Sequence, residues 1–170
     1  LSSADQDKEY KVKAAFVYNF MKFVEWSAME MGEDFESKGE ITLSVIGDNP
    51  FGDNLTSLES KNINEKKIKV IFYRYDQLAD QNTAKLIMDS NVIFVGRSES
   101  SHYNDIIGKV ADKSILTIGD EARFASGGGM VAFDIEGGKV CFDINFNNAK
   151  KSGVKINAKL LKLARKVYKD

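Results

Sequence analysis

"SILTIGDEARFASGGGMVAFDIEGGKVCFDIN", residues 114–145, decides the fold. It sets an acid, an arginine and three consecutive glycines between apolar runs, so it reads either as a phosphate-gripping loop or as a corner between strands. In a phosphate loop the glycines lie between a strand and the helix it feeds, where free backbone N–H groups close on the anion. Here "SILTIG" is strand-like and "DEARFA" forms a short helix; Gly127, Gly128 and Gly129 follow that helix and precede "MVAFDI". No G-x-x-x-x-G-K-[ST] occurs, and no G-x-G-x-x-G follows the first strand. The glycines are therefore expected to stop a helix and turn the chain, where φ > 0 is needed. "MVAFDI" and "KVCFDIN" alternate apolar and polar residues around "EGG", the pattern of an antiparallel hairpin.

Upstream, "ITLSVI" (41–46), "KIKVIFY" (67–73) and "NVIFVG" (91–96) are strand-length and rich in β-branched residues, like "SILTIG" (114–119). Stretches of helical character, "PFGDNLTSLES", "NTAKLIMDS" and "HYNDIIGKV", separate them. Strand–helix alternation predicts an α/β fold with a mostly parallel sheet, to which the hairpin is added near the C-terminus. "KVKAAFVYNFMKFVEW" (11–26) is an amphipathic helix with Val12, Phe16, Phe20 and Phe23 on one side, flanked by Val17 and Val24. "VKINAKLLKLARKVYK" (154–169) predicts a closing helix with Ile156, Leu160, Leu163, Ala164 and Val167 inward and a lysine stripe outward. That stripe is a solvated face or a contact for an acidic surface. Residues 27–39 form a polar connector.

The 170 residues make one domain, 1–170, with 1–7 as a tail. A net charge of −1 and a pI near 6.0 supply no basic field for nucleic acid, and no apolar run is long enough for membrane insertion. Leu1 followed by a small polar stretch is either a cloning boundary or the end left when a signal peptide is removed. Cys141 is the only cysteine, which excludes an intrachain disulfide and reads as a structural thiol.

Three of the strands end in glycine followed by polar residues: "VIGDNPFG", "FVGRSES" and "TIGDEARF". In open α/β sheets ligands bind outside the carboxyl ends of the strands. Asp48, Asn49, Arg97, Ser98, Glu99, Asp120 and Arg123 are thus the candidate ligand-binding residues, with Arg97 suited to a phosphate or carboxylate. The competing reading is structural: Asp48 or Asn49 before Pro50, Asp120 before "EARFA", and Ser98 or Ser100 are helix caps. His102 is the only histidine, so a His-based metal cluster is excluded; with serines beside it in sequence it is a surface helix start rather than a triad base. Asp134 and Asp143 sit on the hairpin as solvated carboxylates rather than an acid–base pair. No catalytic residue, metal or cofactor is expected.

The order of several motifs carries a resemblance. "YKVKAAFVYNFMKFVEW", "LSVIGDNPFG", "NVIFVGRSES" and the "GD…F…GG" segment with its "IN…A…GVKI…LLKLA" ending resemble the YfiR-like family over roughly residues 8–168. The resemblance implies a Rossmann-like three-layer sandwich, export by a signal peptide, a periplasmic location and often a dimer. It also implies a non-enzymatic regulator that represses a membrane-bound diguanylate cyclase through its periplasmic region, lowering cyclic-di-GMP, or that serves a sensor kinase. Redox control through an internal disulfide does not carry over to a chain with Cys141 alone. Tyr18, Lys22, Trp26 and Met29 are the candidate partner or dimer surface, with completion of the core as the other reading of Trp26. The rival function is a periplasmic small-molecule module gripping an anion at the glycine tips.

Overall fold

The computed structural model describes residues 3–26 and 39–169. In chain order the elements are α1 (Ser3–Phe23), β1 (Glu40–Ile46), β2 (Asn62–Ile63), β3 (Lys66–Tyr73), α2 (Gln81–Met88), β4 (Val92–Val95), α3 (Tyr103–Val110) and β5 (Leu116–Gly119). They continue with α4 (Arg123–Ser126), β6 (Val131–Glu136), β7 (Lys139–Asn145), α5 (Phe146–Lys151), α6 (Ala158–Leu163) and β8 (Lys166–Tyr168). Short 3₁₀ helices at Thr56–Ser60, Tyr75–Ala79 and Arg97–His102 fill the connections.

One sheet of eight strands runs β2-β3-β1-β4-β5-β6-β7-β8. Strands β3, β1, β4, β5 and β6 are mutually parallel, as the alternation of strands and helices required. β6 and β7 form the antiparallel hairpin, while β8 lies parallel to β7 and β2 antiparallel to β3. Period-2 side chains send Leu43, Val45, Val70, Phe94, Ile118, Phe133 and Phe142 to one face, beneath α1 and Leu160 of α6. The other face carries Ile46, Ile93, Val95 and Ala132 beneath Ile87 of α2, Ile106 of α3 and Phe124 of α4. Helices on both faces of a largely parallel sheet make the α/β three-layer sandwich.

The "SGGG" corner behaves as expected: α4 ends at Ser126, and Gly128 has φ +116° before β6. Gly129 of that corner and Gly119 at the end of β5 answer to packing instead. A Cβ on Gly119 or on Gly129 would overlap the ring of Phe124, which is fully buried between them.

Four expectations change. α1 begins at Ser3, so residues 3–7 are its exposed first turns rather than a tail. Its buried arc is Tyr10, Lys13, Ala14, Val17, Phe20 and Met21, which keeps Phe20 and Val17 of the expected side but is turned toward Ala14 and Met21. Small Ala14 lets the backbone approach the sheet, whereas Phe16 and Phe23 are half-buried at the margin and Val12 is 38% exposed. "PFGDNLTSLES" forms a turn and the 3₁₀ helix Thr56–Ser60, because Asn49 closes an Asx-type turn by accepting the N–H of Phe51 at 3.0 Å. The closing segment is a six-residue helix followed by a strand: Arg165 N–H donates to the Phe142 carbonyl at 2.8 Å and draws the chain into the sheet. Leu163, expected inward, is consequently exposed. The connector 27–38 and Met29 lie outside the described residues.

Gly119→Ala and Gly129→Ala are expected to lower unfolding free energy by about 1–3 kcal/mol through overpacking against Phe124. Gly108→Ala, in α3 with nothing within 4 Å of the added carbon, is expected to raise it by up to about 1 kcal/mol. Urea denaturation of the three variants measures both effects.

Candidate functional site

The glycine-ended tips do gather on one rim, since β1, β4 and β5 are neighbours. The sheet order reverses at β1, with β3 on one side and β4 on the other, the place where such folds open a crevice. Gly47 has φ +109°, and a Cβ there would stand 2.7 Å from Ser98 Oγ and 2.8 Å from Glu99 Cγ. Asp48 N–H donates to Ser98 Oγ at 3.0 Å, so the tips of β1 and β4 are stitched together. Beside them a groove of about 310 Å³ is lined by Gly47, Asp48, Arg74, Tyr75, Asp76 and Glu99. Three carboxylates face one guanidinium there, and Arg74 Nε already contacts Asp76 at 3.1 Å. That balance repels an anion.

The strongest electrostatic feature is one the helical pattern concealed. Lys13, on the sheet-facing side of α1, is completely buried. Its ammonium donates to Asp120 Oδ1 at 2.7 Å and to Glu9 Oε2 at 2.6 Å, and it lies 4.6 Å from the centre of the Tyr10 ring. Tyr10 hydroxyl donates to the second Asp120 oxygen at 2.7 Å. Burial, reinforced by that bond to a carboxylate, pushes the Tyr10 phenol well above its usual range, so it stays a donor. Arg97, half exposed, approaches Glu9 at 3.7 Å. Two cations and two carboxylates thus close a neutral chain from α1 to the tip of β5. Desolvating Lys13 and Asp120 costs on the order of several kcal/mol each, which the short bonds inside a low dielectric offset only while both partners are present.

Asp120 and Arg97, both expected to hold a ligand, are drawn into this chain; Asp120 is likewise no helix cap, since α4 has no side-chain cap. Ser98 holds Asp48 rather than capping a helix, and α3 too lacks a side-chain cap. Asn49 serves its turn. Arg123 points away, bonding Glu121 at 2.7 Å over the Tyr103 ring. Glu99 remains on the groove, 3.9 Å from His102. His102 stacks on Tyr75 with ring centres 3.7 Å apart and planes 7° apart, so its ring is committed to that stack.

On the hairpin, Arg165 grips Asp143 with two bonds of 2.9 and 2.7 Å and Asp134 with one of 2.8 Å. These carboxylates are therefore a structural clamp, and the expectation that both are solvated fails for Asp143, which is buried. Cys141 is half-buried and its thiol is pushed up, chiefly by burial. Among the candidate contact residues, Tyr18 hydroxyl reaches the Asn62 carbonyl at 3.4 Å and Lys22 is exposed. Trp26 is buried, with Nε1 donating to the Met21 carbonyl at 2.7 Å, so it completes the core. Among the described residues no group of three His, Cys, Asp or Glu is placed to hold a metal ion.

Sequence reasoning missed Lys13, Glu9, Tyr10 and Arg165. The available signal was a lysine one helical turn from Tyr10 and from Val17, inside an arc of apolar residues.

The family described as YfiR/HmsC-like (DUF4154) matches residues 10–165. In fold, the chain is similar to a conserved domain protein from Vibrio cholerae, with a TM-score of 0.62 and 14% identity over 93% of this chain. It is also similar to an ABC domain in complex with L-Trp from Streptococcus pneumonia, with a TM-score of 0.58 and 10% identity over 94% of this chain. The chain spans 60% of the length of each of those two.

Lys13→Ala should cost about 3–5 kcal/mol, because it strands buried Asp120 without its cation. Adding Asp120→Asn should recover part of that loss, which a double-mutant cycle in urea reads as coupling. Asp134 is partly desolvated, which alone would raise its pKa, but its bonds from Arg165 and the Ile135 N–H hold it below the usual carboxylate range. A depressed folded pKa gives stability that is present above about pH 4 and lost as pH falls through the folded value. Arg165→Met should flatten that acid limb in stability measured against pH.

Proposed function

The chain belongs to the YfiR/HmsC-like family, and on that premise we propose a non-enzymatic regulator that acts by protein contact. Membership implies a periplasmic regulator of a diguanylate cyclase. The finer reading is that this chain touches the extracytoplasmic region of a membrane-bound diguanylate cyclase, or of a sensor kinase, and represses it, so that cyclic-di-GMP falls inside the cell. The observation that carries the reading is the family match across residues 10–165. The geometry supports it: Lys13, Glu9, Asp120 and Arg97 at the rim are bonded to one another, which suits a rigid scaffold better than a reactive centre. Among the described residues no helix is long and apolar enough to cross a membrane.

The rival, an anion-gripping module, has less support. Arg97 is turned toward Glu9 and the Asp120 carbonyl, and the groove beside it is acidic.

Two measurements test this. An exported form of the chain, produced beside a membrane-bound diguanylate cyclase of the same cell, should lower cyclic-di-GMP, and a form retained in the cytoplasm should not. Equal effects from both forms, or none from either, would sink the reading. Inorganic phosphate and nucleotides should leave the melting temperature unchanged; a saturable rise abolished by Arg97→Ala would restore the ligand module, because only a real site links ligand to stability.

A further inference from the structure

We propose that a cavity at the end of β5 away from the rim is a binding site for a free dipeptide of small residues. The proposal stands apart from the regulatory reading, which needs no ligand. The cavity arises because the sheet parts there. β5 and β6 share only the pairs Ile118↔Val131 and Gly119↔Ala132. One step earlier, where Thr117 would face Met130, the Met130 N–H donates to the Thr117 hydroxyl at 3.0 Å in place of a backbone carbonyl. The opening, of about 250 Å³, lies between α3 and α5, and Ile107, Val110 and Met130 give it an apolar wall. Gly128 keeps it clear: a Cβ there would stand 3.3 Å from both Ile107 Cγ2 and Asn148 Nδ2. A volume below the roughly 300–1,000 Å³ of drug-sized pockets suits a smaller molecule.

Four polar side chains on this cavity have bonding capacity unused, and together they select the occupant. Thr117, 3% exposed, accepts the Met130 N–H, but its own proton has no acceptor among the described residues. Asn148 donates through Nδ2 to the Gly128 carbonyl at 2.9 Å, which leaves Oδ1 as an open acceptor. One donor and one acceptor on the same cavity match an amide, whose carbonyl takes the Thr117 proton and whose N–H goes to Asn148. Asp112 and Lys151 also line the cavity; both are exposed and have no ion or hydrogen-bond partner among the described residues, each other included. Opposite charges that share a cavity without touching match a molecule that carries both signs. Asp112 follows the C-terminus of α3, where the helix dipole disfavours an anion, so an ammonium there is doubly suited. Lys113 and Lys150, their neighbours in sequence, do not line the cavity. A dipeptide supplies an ammonium for Asp112, a carboxylate for Lys151, one amide between them and small side chains for the apolar wall. A single amino acid lacks the amide, and a protein terminus carries only one of the two charges.

The probe is L-alanyl-L-alanine, titrated calorimetrically into the intact chain. Saturable binding is expected, and Asp112→Asn and Lys151→Gln should each weaken it about tenfold. N-acetylation of the probe should weaken binding as much as Asp112→Asn does. The two changes together should cost no more than either alone, since they remove the same contact. Both variants alter exposed side chains, so their urea midpoints should match that of the native chain. No saturable binding overturns the site. Native-strength binding in both variants places the ligand elsewhere and overturns it as well. L-alanine bound as tightly as the dipeptide overturns the amide contacts, and equal binding of the acetylated probe overturns the ammonium contact. No cyclase enters the experiment, so failure here leaves the regulatory reading standing.

Discussion

A buried ammonium has few tolerable positions, and that constraint organises this fold. Lys13 must find Asp120 and Glu9 together, within 2.7 Å, at the tip of β5. Apolar contacts between α1 and the sheet would tolerate small slides and rotations, since they are non-directional. The ion pair does not: moving α1 by one residue would carry Lys13 about 100° round the helix and strand Asp120 in a dry interior. The aromatic cluster of Phe16, Phe20, Phe133 and Phe142 supplies area, with ring centres as close as 4.8 Å, but the charge supplies the register. Position and depth of α1 are thereby set from the rim downward.

The same constraint explains why the rim resembles a binding edge without being furnished as one. Its topology is that of a crevice at the reversal of strand order, and its glycines permit close approach. Yet Asp120 is spent on α1, Ser98 on the loop after β1, and Arg97 on the outer end of the ion chain. What remains facing the groove is mainly carboxylate. Polar residues at strand ends thus brace helix to sheet.

How much of this was legible in the sequence depended on the physics of each element. The central strands were plain because "ITLSVI", "KIKVIFY" and "NVIFVG" carry both β-branched composition and strand length, and the hairpin because a period of two brackets "EGG". The role of "SGGG" followed from its place after a helix. α1 was legible as a helix but only partly in phase: Phe20 and Val17 are buried as expected, while Phe16 and Phe23 sit at the margin and the sheet takes Ala14 and Met21 instead. The C-terminal helix failed at Ala164 because Arg165 answers two aspartates more than twenty residues upstream, a tertiary demand that no local period records. Lys13 was hidden for the same reason. A lysine reads as solvent-facing unless its buried partner, 107 positions away, is already known.

That separation bears on the order of events as the chain is made. α1 is made before the sheet, yet the carboxylate that admits Lys13 into the interior emerges more than a hundred residues later. Until then the helix carries an ammonium that resists entry into any apolar surface, which keeps α1 from settling prematurely. α1 can therefore lock onto the sheet only after β5 and Asp120 have been made.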